Sequence, residues 1–356
     1  MMTKKILHLA SLDKFIPGFI DLLHQHFCSE LHTVLTFGDK KKYPYHQTPN
    51  TMHFTTFKSV RVLFRTLLEL HRHDKIILHG LFMNHLVILL SFMPWLHKKC
   101  YWVIWGWDLY YHQLAVKNAH YRFMEVFRKH LISRLGGFVT YVDGDYENAL
   151  QWYGAKGKYF ECIMYRSNVY SGGELFSSGE KEKIINDNKK FTLLVGNSAD
   201  PANNHLDVFK KLAEFDLSNL VEKIYCPLSY GDPEYASQIK LKGEMMFGAK
   251  FYPLIDFMPL EQYNKILDEI DIAIFAHHRQ QGMGNTINLL GRGKTVFMRD
   301  GTSSYALFKK LGITIFPFED LTIAIQSAET SLENNRSVSN YFSERNLITQ
   351  LEIIFT

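Results

Sequence analysis

The residues best suited to chemistry in this 356-residue chain cluster at a few places. One is a polar, glycine-bearing run, His277-His278-Arg279-Gln280-Gln281-Gly282-Met283-Gly284-Asn285-Thr286, between the apolar stretch Ile272–Phe275 and another from Ile287. In an α/β protein such a strand-to-helix loop lies at the carboxyl end of the sheet, where ligands bind. Unpaired N–H groups at a helix start near Gly284, Asn285 and Thr286 favour an anion such as a diphosphate, and Arg279 adds a bidentate cation. An ordinary glycine turn reads the same way, because no full nucleotide fingerprint is present. Gly196-Asn197-Ser198 directly follows the apolar run Phe191–Val195. Glycine permits close backbone approach there, and Asn and Ser can bond a phosphate or sugar, or simply cap a helix. Tyr230-Gly231-Asp232-Pro233 is a further turn, read first as a turn and second as a face of the same site.

A different cluster falls in the first half. YWVIWGWDLYYH sets Trp102, Trp105, Trp107 and Asp108 around one glycine at the end of an apolar run. Asp108 is the first candidate for a general base, and His79, after KIILH and before Gly80, is the second. A base must reach the acceptor hydroxyl with a pKa near the working pH. The competing reading of each is a helix cap or a hydrogen-bonded core residue. Asp143-Gly144-Asp145 resembles a metal–diphosphate DxD, but its place between a strand and a helix reads as a turn and N-cap.

Alternating strands and helices must carry these residues. Lys4–Ala10, Leu31–Phe37, Lys75–His79, Tyr101–Trp105 and Gly137–Tyr141 read as strands in the first half, with residues 39–53 as loop and helices between the strands. The spacing predicts a basic-faced helix over Phe57–His71, a very apolar one over Leu81–Trp95 and another over His120–Arg134. KEKIINDNKK, at 181–190, reads as a linker, after which a second alternation begins at Phe191. A helix is expected from Leu321 and a last one over Val338–Ile354. This is an α/β chain of two Rossmann-like halves facing across a cleft, with boundaries expected at 1–185 and 186–335.

Composition narrows the function class. A hydrophobic share of 46% with 21% charged residues means a folded globular chain, and its length calls for two domains. A net charge of +4 without a basic block gives no argument for nucleic acid. Cys28, Cys100, Cys162 and Cys226 are scattered, which suits a reducing cytoplasm, and no zinc-binding spacing occurs. No segment reaches the roughly 18 apolar residues of a spanning helix. Lys58, Arg61, Arg65, Arg72, Arg122, Arg128, Lys129 and Arg134 on helices with apolar faces suggest where a lipid headgroup could dock.

Taken together, these blocks resemble the bacterial TDP-4-acetamido-4,6-dideoxygalactose (Fuc4NAc) transferases, also called 4-alpha-L-fucosyltransferases, of glycosyltransferase family 56. The likeness is densest in His79-Gly80 with Phe82 and Asn84, and in Trp102-x-Ile104-Trp105-Gly106-x-Asp108-Leu109-Tyr110. It continues in Leu194-Val195-Gly196-Asn197-Ser198 with Asn204-His205, and in Arg279-Gln280-Gln281-Gly282-x-Gly284. Trp107, His277, His278 and Asn285 depart from the family's pattern. The resemblance implies a GT-B glycosyltransferase whose final helix, in 336–356, packs back on the N-terminal domain. It implies a nucleotide-sugar donor bound by Gly196, Asn197, Ser198, Tyr230, Arg279, Gln280, Gln281, Gly282, Gly284, Asn285 and Thr286. An undecaprenyl-diphosphate-linked acceptor would meet Trp105, Trp107 and Asn84. Neither cofactor nor metal is expected, nor any nucleic-acid partner, and the location implied is the cytoplasmic face of the inner membrane, peripherally. A sugar-nucleotide epimerase or hydrolase of the same architecture is the alternative reading, and a glycan- or lipid-binding protein without turnover is a third.

Overall fold

The computed structural model describes residues 4–172 and 190–356. The linker expected at 181–190 therefore lies, but for Lys190, outside the described residues. The chain divides into two compact units: Met1–Val169 with Glu344–Thr356, and Tyr170–Ser343.

The first unit is built on the strands β1 (Ile6–Ser11), β2 (His32–Phe37), β3 (Thr51–Phe54), β4 (Lys75–His79), β5 (Cys100–Val103), β6 (Gly137–Val139) and β7 (Lys158–Phe160). They form one sheet in the order β3-β2-β1-β4-β5-β6-β7, and every pairing is parallel. The second unit holds β8 (Phe191–Val195), β9 (Val221–Pro227), β10 (Phe251–Leu254), β11 (Ile272–Phe275), β12 (Thr295–Met298) and β13 (Phe316–Pro317). Their order is β10-β9-β8-β11-β12-β13, again all parallel. Each sheet winds outward from its first strand in one direction and then in the other, so each unit is a Rossmann-like, doubly wound domain. The central strands KIILH and IAIF are buried at every residue, because helices cover both faces of a parallel sheet. No helix among the described residues is long and apolar enough to cross a membrane.

Several elements differ from the sequence expectation, each for a local reason. Residues 39–53 are not all loop: Thr51–Phe54 adds an edge strand, whose residues after Thr51 are only half buried and so carry little apolar signal. Trp107–Leu114 is a helix, entered through Gly106 at φ 97°. The helix expected from Ile287 begins at Met283, because Gly282 at φ 65° turns the chain and its carbonyl accepts from Thr286 N at 3.0 Å. The very apolar run 81–95 is a shorter helix, Asn84–Ser91, followed by a 3-10 turn that starts at Pro94. No helix starts at Leu321. The last helix is two, Ala328–Tyr341 and Glu344–Phe355.

Glu344–Phe355 closes the first unit. Gln350 Oε1 accepts from Ile163 N at 2.9 Å, and Lys75 Nζ donates to the Ile354 carbonyl. The Phe355 ring lies 4.6 Å from His32 and 5.6 Å from His8, centroid to centroid. Beneath it a string of buried side chains crosses the sheet. Trp105 Nε1 meets the Tyr165 hydroxyl at 2.9 Å, and that hydroxyl meets His79 Nδ1 at 2.7 Å. His79 Nε2 lies 3.1 Å from His8 Nδ1, and His8 Nε2 lies 3.0 Å from His32 Nδ1. An indole can only donate, so Trp105 gives to Tyr165; the order that uses every proton then runs from Tyr165 to His79, His79 to His8, and His8 to His32. Each imidazole is thereby held as one neutral tautomer.

Burial pushes the pKa of His79 down to about 3 and that of His32 down to about 4. His8 is held well below its usual value by burial first and then by His32, His79 and His73. Unfolding lets these rings take protons near pH 6.5, whereas folded His32 and His79 take them only near pH 4 and pH 3, and folded His8 only well below its usual value. The unfolded state thus binds more protons in that window, and stability rises with pH. Denaturant unfolding followed by tryptophan fluorescence is expected to lose about 1.4 kcal/mol per pH unit for each such ring between pH 6.5 and pH 4. All five tryptophans sit in the first unit, so the signal reports on this string. A flat profile over that window would refute the neutral assignment.

Candidate functional site

In the second unit the site forms where the winding reverses, between β8 and its parallel neighbour β11. Gly196 continues the ladder by donating to the Ile274 carbonyl at 3.0 Å, then turns at φ 70°. A Cβ there would stand 2.5 Å from His205 Nε2 and 2.8 Å from Asn203 Oδ1, so only glycine fits. Asn203 knots the two loops together. Its Oδ1 accepts from Asn197 N at 2.8 Å and meets His277 Nε2 at 2.9 Å, while its Nδ2 donates to Ser198 Oγ at 3.2 Å. Asn204, in the left-handed region at φ 51°, donates from Nδ2 to the Ala276 carbonyl at 2.7 Å. A positive φ outside glycine is uncommon, and Asn tolerates it best.

Gly282 packs on this knot: a Cβ would lie 3.0 Å from Asn197 Cγ. The helix Met283–Gly291 thus starts beside the Gly196 turn, and no side chain caps it. Its first N–H groups carry the positive end of the helix dipole. Around it, Asn197 Oδ1, His205 Nε2, Gln280 Oε1 and Gln281 Oε1 are buried with no hydrogen-bond partner. Unpartnered polar atoms of this kind are costly and call for an explanation. A ligand that brings hydroxyl or N–H donors to the amide oxygens and an anionic group to the helix start supplies one.

The structure thus brings Gly196, Asn197, Ser198, Tyr230, Gln280, Gln281 and Gly282 into one neighbourhood, with Asn197 Nδ2 donating to the Tyr230 hydroxyl at 3.0 Å. Gly284 and Asn285 lie in the first helical turn, and Asn285 Nδ2 donates to the Tyr263 hydroxyl at 2.8 Å. Thr286 is buried with its hydroxyl turned back to the Gly282 carbonyl at 3.2 Å. Arg279 is largely buried and already spoken for, with Nη2 on Asp200 Oδ2 at 2.9 Å and Nη1 on the Gln280 carbonyl at 3.0 Å. Burial brings His277 to about pKa 3, with Arg279 adding to the drop, and His205 to about 4. These rings are neutral at pH 7. Sequence reasoning missed Asp200, Asn203 and Tyr263, whose partners are remote in sequence. It quoted Asn204-His205 without assigning a role.

In the first unit, the loops after β4 and β5 meet at Asp108. Its Oδ2 accepts from Trp102 Nε1 at 2.7 Å and Leu81 N at 3.1 Å, and its Oδ1 from Trp105 N at 3.0 Å. Arg128 Nη1 donates to the Leu81 carbonyl at 3.0 Å and Nη2 to that of Asp108. Burial raises the Asp108 pKa, opposed by the Trp102 bond, Arg128 and the two backbone donors. Arg128, grouped with the headgroup-facing bases on sequence, is in fact buried at this brace. The geometry makes Asp108 a clamp rather than an open base, and both ring nitrogens of His79 are likewise in use.

Trp105 is ringed by Phe15 at 5.4 Å, Tyr165 at 5.2 Å and Phe82 at 5.5 Å, all edge-on, which is a platform suited to a sugar face. Trp107 opens the next helix and is 41% exposed. Asn84 Nδ2 lies 3.4 Å from His120 Nε2, away from that ring cluster's hydrogen bonds. Asp145, of the DxD-like triplet, is buried in a first helical turn and accepts from the Tyr110 hydroxyl at 3.0 Å.

Comparison with known proteins fits this picture. Residues 11–305 match the sequence model of a family described as 4-alpha-L-fucosyltransferase, glycosyl transferase group 56. Among solved structures, HepE of Anabaena, in complex with UDP and glucose, aligns with a TM-score of 0.64 at 12% identity over 99% of each chain. Sucrose-phosphate synthase of Thermosynechococcus elongatus aligns with a TM-score of 0.66 at 10% identity over 99% of this chain and 98% of that one. WaaG, a glycosyltransferase involved in lipopolysaccharide biosynthesis, aligns with a TM-score of 0.61 at 10% identity over 98% of each. These likenesses show the fold, the GT-B pair of Rossmann-like domains.

Replacing Asp108 by Asn separates bracing from base chemistry. The amide faces N–H donors with its own N–H group and leaves at least one of them unpaired, so denaturant unfolding should show a loss of about 2–3 kcal/mol. Unchanged stability with abolished turnover would return the base role to Asp108.

Proposed function

Because the chain belongs to the 4-alpha-L-fucosyltransferase family, glycosyl transferase group 56, we propose that it moves a 4-acetamido-4,6-dideoxyhexose from a TDP donor to a hydroxyl of an undecaprenyl-diphosphate-linked oligosaccharide. The product belongs to enterobacterial common antigen or O-antigen assembly, made at the cytoplasmic face of the inner membrane. One observation carries the donor half of this reading. The uncapped start of Met283–Gly291 adjoins the Gly196 turn and four unpartnered polar atoms.

In this reading the diphosphate lies against the amides of Met283, Gly284 and Asn285, and the free side-chain oxygens of Asn197, Gln280 and Gln281 accept from hydroxyls of the donor. Charge builds on the leaving diphosphate as the glycosidic bond breaks, and preorganised N–H dipoles stabilise it without reorganising. No metal takes part. Arg279, held by Asp200, shapes the loop and adds positive potential from behind it.

The acceptor half rests on the ring cluster around Trp105, and the membrane contact on a neighbouring surface. Helices Val60–Arg72 and Ala119–Ile132, and the segment that follows Asn84–Ser91, expose Val60 (82%), Phe64, Phe92 (68%), Trp95, Phe123 and Val126 (67%). They are linked there by Trp95 Nε1 donating to His71 Nε2 at 3.1 Å, and by Phe127 lying 5.9 Å from Phe92 and 5.0 Å from Phe123. Lys58, Arg61, Arg122 and Lys129 are exposed around this surface. Apolar side chains ringed by cations suit an anionic lipid face.

Calorimetric titration with TDP, UDP and GDP, with and without EDTA, is the first test. Roughly micromolar TDP binding that survives EDTA is expected, and Gly196→Val should abolish it by filling the place of His205 Nε2. Preference for UDP or GDP would overturn the donor assignment. Turnover of TDP-sugar without any acceptor would favour an epimerase or hydrolase instead.

A further inference from the structure

A transferase of this kind must remove a proton from its acceptor hydroxyl, and the two sequence candidates are occupied. The carboxylates at the carboxyl ends of the first unit's strands can be compared one by one. Asp39 Oδ1 accepts from the backbone of Lys41 at 2.8 Å and closes its own turn. Asp108 holds three N–H groups, Asp143 Oδ1 takes Gly144 N at 3.0 Å, and Asp145 takes the Tyr110 hydroxyl at 3.0 Å. Asp13 is set apart by its place, two residues before the Phe15 that packs on Trp105. Its Oδ1 is buried from solvent and has no hydrogen-bond partner.

Asp13 sits in the loop between β1 and the helix Ile16–His26, and its backbone is fixed. Leu12 N donates to the Phe37 carbonyl at 2.6 Å, and Ile16 N to the Asp13 carbonyl at 3.2 Å. Phe15, two residues on, packs edge-on against Trp105 at 5.4 Å and lies 6.0 Å from Tyr165. Asp13 is close enough to Tyr165 that its charge helps burial, the main cause, to raise that phenol's pKa, alongside Asp108. A dehydrated carboxylate oxygen with nothing to accept from is a stability cost. Costs of this kind persist at functional sites.

We propose that Asp13 is the catalytic base of the acceptor site, with Phe15, Phe82 and Trp105 seating the sugar and Tyr165 positioning it. This rests on the transferase reading. Asp13 Oδ1 accepts the proton of the attacking hydroxyl. That oxygen bonds to the donor's anomeric carbon, and the bond from this carbon to the diphosphate breaks. The electron pair leaves with the nucleoside diphosphate, and the proton stays on Asp13 until solvent removes it.

The test uses the full chain and the variants Asp13→Asn and Asp13→Glu. Thermal unfolding needs no substrate: Asp13→Asn is expected to unfold at or above the wild-type temperature, since it removes an uncompensated charge. A fall of more than about 4 °C would make Asp13 structural and overturn the proposal. Transfer from TDP-linked 4-acetamido-4,6-dideoxygalactose to the lipid-linked acceptor should drop about 10²–10⁴-fold in kcat for Asp13→Asn, with TDP affinity unchanged and partial activity in Asp13→Glu. The acidic limb of the wild-type pH–rate profile should vanish from the residual activity. An Asp13→Asn rate within about threefold of an active wild type would overturn the base and leave the transferase reading standing. An inactive wild type that binds no TDP would overturn that reading, and the unfolding temperatures would still decide whether Asp13 carries an unneeded charge.

Discussion

A buried negative charge on Asp108 governs the first domain. It gathers N–H groups from Leu81, Trp102 and Trp105, while Arg128 pins the carbonyls of Leu81 and of Asp108 itself. Removing one partner of such a set leaves a charge or donor stranded in a dry interior, so the parts stand or fall together. The position of Trp105 follows from its backbone bond to Asp108. From the Trp105 indole follow Tyr165, His79, His8 and His32, each oriented by the one before. The Asp108 brace thus fixes the place of the indole at the head of a line that crosses the sheet from β5 to β2.

The second domain solves the corresponding problem without a buried unpaired charge. Amide side chains do the tying, through Asn203 and Asn204, and the histidines beside them are neutral. The one buried cation in the loop, Arg279, is matched by Asp200. What remains to meet an anion is backbone, the amides at an uncapped helix start. Such donors are already aligned in the absence of ligand and bring only a modest field each, which suits a group that must be held and then released.

Much of this was readable from the chain. Solid apolar runs such as KIILH, FTLLV and IAIF announce buried parallel strands, and the polar glycine segments after FTLLV and IAIF do meet at the point where the winding reverses. The edge strand Thr51–Phe54 escaped notice because it is paired on one side only and half exposed. The helix start at Met283 was placed too late because its first turn is rich in glycine and Asn, which have low helical propensity. Asn203 and Tyr263 gave no signal, since their roles depend on partners brought close only by folding. Asp13 gave none either. One of its oxygens is buried without a hydrogen-bond partner, and no local pattern can encode that.

The return of Glu344–Thr356 to the first domain bears on how the protein is made. The face of β1 and β2 that carries His8 and His32 is closed by Phe355 and by helix contacts to Lys75 and Ile163. A ribosome delivers those residues after both sheets have been made. The domain encoded first must therefore wait, with an imidazole string open to water, while the domain encoded second can finish ahead of it. Loss of Glu344–Thr356 would spare the second domain and leave the first permanently unsealed, a clear mark for cellular quality control.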